Sequence, residues 1–162
     1  MSRRAPIEVD GVCCVRDHFN DPRSLYCVIC GISMLQQTAR LVRRPRPPLG
    51  VLVWDDGTTT SLMHDLVIGR HPYGHPRVTS GEVEPLEVTD GAERLSRAHA
   101  LVTLKAWEVL VTDLGSTNGT VHQVALTGTA SRLVPELPVR LSDGDSIVMG
   151  ARSFVFQSHH VG

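Results

Sequence analysis

Several features that would mark a membrane, secreted or helical protein are missing from this chain of 162 residues. No stretch approaches the roughly 18 consecutive apolar residues that a membrane helix requires. The opening residues, MSRRAPIEVDG, lack the apolar core of a signal peptide. No stretch as long as a short helix shows helical periodicity. We therefore expect a cytoplasmic protein that is built from β-strands.

Cysteine is absent from the chain after Cys30, and all four cysteines fall between Cys13 and Cys30. Cysteine therefore serves a local purpose at the N-terminal end. In a reducing compartment, free thiols more often hold a metal ion than pair as disulfides.

A large excess of positive charge is also missing. Residues 1–48 carry 8 Arg against 4 Asp or Glu, whereas residues 49–162 carry 8 Lys or Arg against 13 acidic residues. A broad basic face for nucleic acid is therefore not expected on the larger part of the chain, and we do not expect nucleic acid as a partner there.

The sequence motifs of common enzymes are absent as well. There is no Gly-x-Ser-x-Gly elbow, no HExxH, no Walker loop and no Gly-x-Gly-x-x-Gly. Several histidines and serines supply the residue types of a nucleophile and its base, but nothing beyond residue type supports that arrangement. We expect the protein not to be an enzyme.

The residues that are present divide the chain into three parts. The stretch RLVRRPRPPLG, from Arg40 to Gly50, combines prolines, which remove backbone donors, with arginines, which repel one another. We predict a linker at residues 39–48, between an N-terminal segment at residues 1–38 and a domain at residues 49–158. The arginines could contact nucleic acid or acidic lipid, but a solvated spacer is the favoured interpretation.

From Leu49 onward, short apolar runs rich in Val, Leu and Ile alternate with turn residues. Examples are VLVWD, HALVTL, WEVLVTDL and SFVFQ, each bounded by Gly, Pro, Asp or Ser. Within VLVTD and SFVFQ the apolar residues recur with period two. This pattern predicts an all-β, antiparallel sandwich whose loops gather at its ends.

Three of the predicted loops are rich in hydrogen-bond donors. One is IGRHP, in which Gly69 and Arg70 close a strand, and the second is LSRAHA, which includes Ser96, Arg97 and His99. The third is GSTNG, residues 115–119. Hydroxyls, amides and backbone N–H groups near an arginine suit a phosphate dianion, because each phosphate oxygen accepts several charge-assisted hydrogen bonds.

Taken together and in this order, the three loops resemble the forkhead-associated (FHA) domain. That family's pattern runs Gly-Arg, Ser-Arg-x-His, Gly-Ser-Thr-Asn-Gly and then Gly-Asp, which match Gly69-Arg70, residues 96–99, residues 115–119 and Gly144-Asp145. The resemblance implies an FHA-type β-sandwich over about residues 49–158. It also implies a function, the binding of phosphothreonine peptides.

The resemblance assigns roles to individual residues. It implies that Arg70 and Ser96 bind the phosphate, that Thr117 adds a hydroxyl, and that Arg97 lies beside the peptide. Asn118 would hold the peptide backbone just after the phosphothreonine, and Ser116 completes the predicted binding set. Four further residues are expected to be structural within the site, namely Gly69, His99, Gly115 and Gly119.

The chain departs from the family pattern in two places. The 25 residues between Arg70 and Ser96 form a longer connection than the family usually has, and a long segment replaces the common Asn-Gly hairpin after Thr120. Long loops near a site can cover or extend it. These departures leave open which surface contacts the peptide beyond its phosphothreonine.

The cysteine window has the spacing of a small zinc knuckle. Cys27 and Cys30 form a Cys-x2-Cys-Gly turn, and Cys14 and His18 precede it. Three thiolates and one imidazole satisfy tetrahedral Zn²⁺. Cys13 competes with Cys14 for the first position, and the three-residue gap before His18 favours Cys14. The alternative is a set of buried, reduced thiols.

The window resembles a zinc ribbon of the kind appended to bacterial regulatory proteins, and the whole arrangement resembles actinobacterial proteins. We predict a structural Zn²⁺ at Cys14, His18, Cys27 and Cys30, because a segment of about thirty residues cannot bury enough apolar surface to fold alone.

The function that we predict is that of a signalling adaptor that docks partners phosphorylated on threonine by a Ser/Thr kinase. The alternative is a nucleic-acid-associated regulator that uses the zinc knuckle and the basic linker. Thr38 could itself be a phosphosite that docks into the protein's own FHA site or a neighbour's.

Overall fold

A computed structural model of the chain describes residues 5–35 and 40–160. The strands in this part of the chain are β1 (Glu8–Cys13), β2 (Phe19–Asn20), β3 (Leu41–Pro45), β4 (Gly50–Trp54), β5 (Thr59–Ser61), β6 (Leu66–Gly69), β7 (Glu84–Glu87), β8 (Ala100–Lys105), β9 (Glu108–Asp113), β10 (Thr120–Gln123), β11 (Ala130–Arg132), β12 (Val139–Leu141), β13 (Ser146–Met149) and β14 (Arg152–Ser158). A 3₁₀ turn spans Pro72–Gly74 and the helix α1 spans Pro76–Thr79. No helix among the described residues is long and apolar enough to cross a membrane. Thr38 lies outside the described residues.

Two sheets pack face to face and enclose the main core. One has six strands in the order β11-β10-β13-β14-β4-β5, and the other has five in the order β12-β9-β8-β6-β7. Leu52 and Phe154 from the first sheet and Ile68, Val102 and Val111 from the second are buried in one cluster. The strands in which apolar and polar residues alternate thus present their apolar side chains to a common interior. This confirms the predicted all-β sandwich.

One strand pair in the sandwich is parallel. The long connection after Arg70 passes through the 3₁₀ turn and α1 and returns as β7 along the free edge of β6, with Leu66 opposite Glu84. Val83 is buried against Val67 and Leu101 on the outer face of the sheet. The inserted residues therefore cover the sheet beside Arg70. The helix α1 within them has only four residues, which is too short to show a helical periodicity of apolar residues in the sequence.

The first three strands form a separate small sheet in the order β2-β1-β3. Strand β3 comes from the segment predicted to be a linker, and it pairs with β1 from Glu8 opposite Pro45 to Val12 opposite Leu41. The positive charge of Arg43 in this segment is balanced by ion pairs with the acidic side chains of Glu8 and Asp10 on β1. Residues 41–45 are thus part of a sheet and not a free spacer. The division of the chain at residues 39–48 stays a prediction.

Trp107 joins the small sheet to the sandwich. It lies in the turn between β8 and β9, and its indole N–H donates to the carbonyl of Asp10 at 2.8 Å. Its ring lies 5.2 Å from that of Phe19 and 4.9 Å from that of His160, measured between centroids. Arg46 adds hydrogen bonds to the carbonyls of Leu104 and Ala106 in the same hairpin. The contact between the small sheet and the sandwich therefore combines ring packing with hydrogen bonds.

Replacing Trp107 with alanine should lower the free energy of unfolding by about 2 kcal/mol, less than for a fully buried tryptophan because the ring is partly exposed. Denaturant unfolding measures this loss. Leu126→Ala is the matched control, since Leu126 is 94% exposed and its truncation should change stability by no more than about 0.5 kcal/mol. Equal effects of the two substitutions would contradict the role of Trp107.

Candidate functional site

The strand order brings the three donor-rich loops to one end of the sandwich. Strand β8 lies between β6 and β9, with Ala100 opposite both Ile68 and Asp113. The last residues of β6, the first residues of β8 and the last residues of β9 therefore lie at the same end of the sheet. The loops that continue from these strands carry residues 70, 96–99 and 115–119, and they are neighbours for this reason.

Gly69 allows the first two loops to touch. A Cβ at this position would overlap the carbonyl of Arg97, so only glycine fits. The close approach lets the backbone N–H of Arg70 donate to the carbonyl of Ser96 at 3.1 Å and that of His71 donate to the carbonyl of Arg97 at 3.2 Å. Arg70 is held at a defined position by these two backbone bonds.

His99 lies beneath the loops, fully buried. Its Nδ1 accepts the backbone N–H of Ser96 at 3.1 Å, and its Nε2 donates to the carbonyl of Gly119 at 2.9 Å. Burial lowers the pKa of the His99 imidazole, so the ring is neutral at pH 7 and each nitrogen has one role. One side chain thus ties the second loop to the third.

Ser96 and Thr117 join the same two loops from the solvent side. The backbone N–H of Thr117 donates to the Ser96 hydroxyl oxygen at 3.1 Å. Because that oxygen acts as an acceptor, the hydroxyl hydrogen of Ser96 is left to donate elsewhere. The Thr117 side chain is exposed beside it.

Asp113 shapes the third loop. The carboxylate is buried at the end of β9 and accepts the backbone N–H groups of Gly115 at 3.0 Å and Ser116 at 3.1 Å. It also accepts the hydroxyls of Ser116 and of Thr120, the latter at 2.6 Å. Burial alone would raise the pKa of this carboxyl, but the hydrogen bonds from Ser116 and Thr120 outweigh it and lower the pKa. Gly115 turns the chain here with a φ of 72°.

This network changes the interpretation of Ser116. The sequence placed it among the peptide-binding residues, whereas its hydroxyl donates to Asp113 inside the loop. The hydroxyl hydrogen is therefore not available to a ligand. Asp113 itself was not among the predicted site residues, although it directly precedes the Leu-Gly-Ser-Thr-Asn-Gly run and Asp is a common cap of turns.

The guanidinium groups of Arg70 and Arg97 are exposed and lack hydrogen-bond or ion-pair partners within residues 5–35 and 40–160. The exposed amide of Asn118 donates to the backbone carbonyl of Arg94 at 2.8 Å. The loop end therefore presents two guanidinium groups without partners among the described residues and two available hydroxyls. Such a surface attracts an anion.

A second candidate site lies in the N-terminal part, where the four predicted metal ligands meet. The ligand atoms of Cys14, His18, Cys27 and Cys30 all lie within 4.8 Å of one another. The Sγ atoms of Cys14 and Cys30 are 3.9 Å apart, and His18 Nδ1 is 3.5 Å from Cys14 Sγ. A tetrahedral ion with Zn–S bonds of about 2.3 Å requires sulfur atoms about 3.8 Å apart.

The strand β1 explains why Cys14 and not Cys13 joins this cluster. Cys13 is the last residue of β1 and pairs with Phe19, whereas Cys14 follows in the turn. Adjacent side chains of an extended chain point in opposite directions. Asn20 supports the cluster by donating to Cys27 Sγ at 3.5 Å while it accepts the backbone N–H of Val28 at 2.9 Å.

Comparison with known proteins identifies the family. The family model of the FHA domain matches residues 66–150, more than half of the chain, and the chain therefore belongs to the FHA family. The match contains all three loops of the first candidate site. None of the curated proteins compared with the chain matches it.

Solved FHA domains share the fold of the sandwich. The FHA domain of human APLF, in complex with an XRCC1 bisphospho peptide, is 25% identical, with a TM-score of 0.52 over 68% of this chain and 98% of that one. The FHA domain of an Arabidopsis thaliana hypothetical protein is 24% identical, with a TM-score of 0.53 over 71% and 88% of the two chains. The N-terminal FHA domain of Rad53p from S. cerevisiae, in complex with a phosphothreonine peptide, is 20% identical, with a TM-score of 0.50 over 68% and 93%.

The protein should lose stability as the pH falls below about 6.5, the ordinary pKa of histidine. Because the pKa of folded His99 is lowered, the unfolded chain takes up a proton that the folded chain does not, and acid therefore favours unfolding. The lowered pKa of Asp113 acts in the same direction at more acidic pH. Denaturant unfolding at about pH 7.5 and pH 5.5 measures the difference.

The variant His99→Ala tests the source of this pH dependence. It should be less stable at pH 7.5 by about 1–3 kcal/mol, because buried backbone groups of Ser96 and Gly119 lose their partner. It should also lose less stability between the two pH values than the parent does. His160, whose pKa burial also lowers, titrates in both proteins and cancels in the comparison. An equal pH dependence of the two proteins would disprove the assignment to His99.

Proposed function

We propose that the chain is a phosphothreonine-peptide-binding signalling adaptor that docks partners phosphorylated by a Ser/Thr kinase. The observation that carries the proposal is the meeting of Arg70, Ser96 and Thr117 on three adjoining loops. Membership of the FHA family supports it. So do the solved FHA domains of human APLF and yeast Rad53p, which are complexes with phosphorylated peptides.

The phosphate is bound by charge and by hydroxyl groups. The unpaired guanidinium of Arg70 neutralises the dianion, and a planar guanidinium can donate two parallel hydrogen bonds to phosphate oxygens. The hydroxyls of Ser96 and Thr117 donate to the remaining oxygens. The hydrogen bond from the Thr117 backbone to Ser96 Oγ supports this role, because it uses that oxygen as an acceptor and directs the Ser96 hydroxyl hydrogen away from the Thr117 N–H.

The residues beside this cradle bind the peptide itself. Asn118 uses one amide hydrogen on the carbonyl of Arg94, so its carbonyl oxygen and second hydrogen are available to the peptide backbone after the phosphothreonine. Arg97 lies along the peptide and adds positive charge. Ser116 contributes through the shape of the loop and not through direct contact with the ligand.

The activity that we propose is binding without catalysis. The available groups at the site are cations and hydroxyl or amide donors, which suit an anion that is held and released. A hydrolase would need a general base within reach of a nucleophile. The imidazole of His99, beneath the loops, is fully buried and has both nitrogens engaged. The exposed imidazole of His71 contacts the ring of Tyr73, with 5.3 Å between centroids. The protein acts in the cytoplasm, where Ser/Thr kinases supply its ligands.

The alternative, a nucleic-acid-associated regulator, finds less support in the side-chain contacts. Two arginines of the basic segment are paired within the protein, Arg43 with Glu8 and Asp10 and Arg44 with Asp17. Arg46 donates to carbonyls of the β8–β9 turn. Arginines that are already paired offer less to a phosphate backbone.

A phosphothreonine peptide should bind the parent protein and lose most of its affinity for Arg70→Ala. Removing one partner of a desolvated charge pair costs about 2–5 kcal/mol, which is a loss of about 30-fold or more. Thr117→Val, which keeps the shape but removes the hydroxyl, should cost about 1.5–3 kcal/mol. Titration calorimetry measures both, with the unphosphorylated peptide as the negative control.

Arg140→Ala is the matched control for charge. Arg140 is exposed on β12, away from the loops, and its contact with Glu108 at 3.6 Å is a surface ion pair of small value. It should bind the phosphopeptide as the parent does. A folded Arg70→Ala protein with parental affinity would refute the phosphate cradle.

We also propose that Cys14, His18, Cys27 and Cys30 hold one structural Zn²⁺. Three thiolates and one imidazole fit the ion, and four protein ligands leave no open position for catalysis. The core of this part of the chain is small, with Val12, Cys14, Cys27 and Met34 buried together. A unit of this size requires a metal to be stable. Its likeness to a zinc ribbon and the actinobacterial type of the protein stay predictions.

Purified protein should contain one zinc ion per chain by elemental analysis. Cys14→Ser and Cys27→Ser should lose the ion, whereas Cys13→Ser should keep it, because Cys13 lies outside the cluster. Chelation should unfold the N-terminal segment and leave the sandwich folded, since the sandwich core contains no residue before Leu49. Loss of zinc from Cys13→Ser with retention in Cys14→Ser would overturn the ligand assignment.

A further inference from the structure

A groove of about 720 Å³ lies where the small N-terminal sheet meets the turn of the β8–β9 hairpin. We call it the junction groove. It is lined by residues 7–10 from β1 and its approach, by residues 21–23, by residues 104–108 of the hairpin, and by Arg43 and Arg46. Its volume falls in the range of ligand clefts, roughly 300–1,000 Å³. None of these residues belongs to the three loops of the peptide site, so the junction groove is a separate candidate site.

The first half of β1 turns backbone groups away from its partner β3. The N–H of Arg46 donates to the carbonyl of Ile7 at 2.8 Å, so these two residues form a hydrogen-bonded pair of the antiparallel ladder. Hydrogen-bonded and non-hydrogen-bonded pairs alternate along such a ladder. The next pair, Glu8 with Pro45, is therefore of the second kind, which suits a proline because it has no N–H. The N–H and the carbonyl of Glu8 thus point to the opposite edge of β1.

That opposite edge is only partly covered. Strand β2 pairs with the last two residues of β1 and leaves the sheet in a turn after Asn20. The indole of Trp107 takes the carbonyl of Asp10 at 2.8 Å. The backbone N–H and carbonyl of Glu8 have no partner within residues 5–35 and 40–160. An unpaired strand edge of this kind pairs readily with another extended chain.

Two positive charges at the junction groove lack a carboxylate partner in the described part of the chain. Lys105 is exposed, and its cross-strand neighbour Glu108 is paired with Arg23 and Arg140 instead. Arg46 donates through Nη1 to two carbonyls of the hairpin, while its Nη2 is buried without a partner. Burial lowers the pKa of the Arg46 guanidinium, as expected for a charge that no carboxylate compensates.

The rest of the lining is apolar or acidic. Ile7 is 53% exposed, and Pro22 and the half-buried ring of Trp107 line the junction groove with it. On the β1 side, two carboxylates share the single guanidinium of Arg43 at 3.7 and 3.3 Å. A carboxylate of a ligand is therefore repelled from the β1 side and attracted to the hairpin side.

We propose that the junction groove binds an extended peptide segment of a partner protein, which pairs with the backbone of Glu8 and places an apolar residue against Trp107 and an acidic residue beside Lys105. In strand addition, main-chain hydrogen bonds give affinity and alternate side chains give specificity. The acidic residue supplies the counter-charge that the hairpin side lacks among the described residues. Because this surface is separate from the phosphate cradle, the inference does not depend on the proposed function.

The test measures the binding of unphosphorylated peptides to the full chain. Capped eight-residue peptides of alternating leucine and serine carry one glutamate, glutamine or lysine at each position in turn. At one position, the glutamate peptide should bind about fivefold more tightly than its glutamine counterpart, and the lysine peptide should bind most weakly. Titration calorimetry measures the affinities. Hydrogen exchange measures protection of the Glu8 amide, which should rise when the peptide is bound.

Glu8→Pro tests the backbone pairing, because it removes the N–H that faces the junction groove and leaves the hydrogen bonds to β3 in place. It should weaken the tightest peptide by about fivefold, whereas Glu8→Gln, which keeps the N–H, should stay within about twofold of the parent. Thermal unfolding checks that both variants are folded. Methylating the backbone nitrogen of the paired peptide residue removes the same kind of hydrogen bond from the ligand side and should weaken binding to the parent equally.

Lys105→Gln tests the charge. It should abolish the preference for glutamate over glutamine at the selected position. Arg132→Gln is the matched control, because it removes one exposed positive charge on β11, which does not line the junction groove. This control should keep the preference in full.

Three results would overturn the proposal. They are the binding of no peptide of the set at millimolar concentration, equal affinities for the glutamate and glutamine peptides, and a preference for glutamate that survives in Lys105→Gln. A folded Glu8→Pro protein with parental affinity would refute the backbone pairing. The peptides should bind Arg70→Ala as they bind the parent, and Glu8→Pro should bind a phosphothreonine peptide as the parent does. A failure at one site is thus distinguished from a failure at the other.

Discussion

The buried carboxylate of Asp113 is the interaction on which the geometry of the peptide site depends. It accepts two backbone N–H groups and two hydroxyls, and so it satisfies the backbone donors of the turn that follows strand β9. Because these bonds fix the turn at Gly115, the next residues must emerge toward solvent. The exposure of Thr117 and Asn118 is a consequence of where one acid is buried.

His99 and Gly69 complete this arrangement by holding the other two loops to the third. The imidazole connects Ser96 to Gly119 from below, and the missing Cβ of Gly69 lets the first loop touch the second. None of these three residues offers a free polar group to a ligand. The site thus consists of a buried frame, which is neutral apart from Asp113, and an outer layer of arginines and hydroxyls. Such preorganisation reduces the entropy that binding costs.

The sequence predicts the fold well where the signal is local. Period-two alternation in VLVTD and SFVFQ predicts strands β9 and β14, and the spacing around the Cys-x2-Cys-Gly turn predicts the clustering of three cysteines and His18. The three loops could be placed together only through their resemblance to a family, because adjacency depends on strand order. Neither alternation nor propensity specifies that order.

Other features could not be predicted because they depend on contacts between distant residues. The parallel pairing of β7 follows from the path of a long insertion, and β3 is a strand because its backbone pairs with β1. The inward direction of the Ser116 hydroxyl depends on an acid three residues earlier. A hydroxyl in a Ser-Thr-Asn run can face either way, and composition alone does not distinguish the two.

The β8–β9 hairpin extends from one proposed binding site to the other. Its open end flanks the peptide loops, and Trp107 at its turn packs against the N-terminal sheet that carries the cysteine cluster. Six residues of strand at about 3.3 Å each separate the two ends by roughly 20 Å. The hairpin is thus a spacer of fixed length, which keeps the peptide loops and the sheet that carries the cysteine cluster at opposite ends of one antiparallel strand pair.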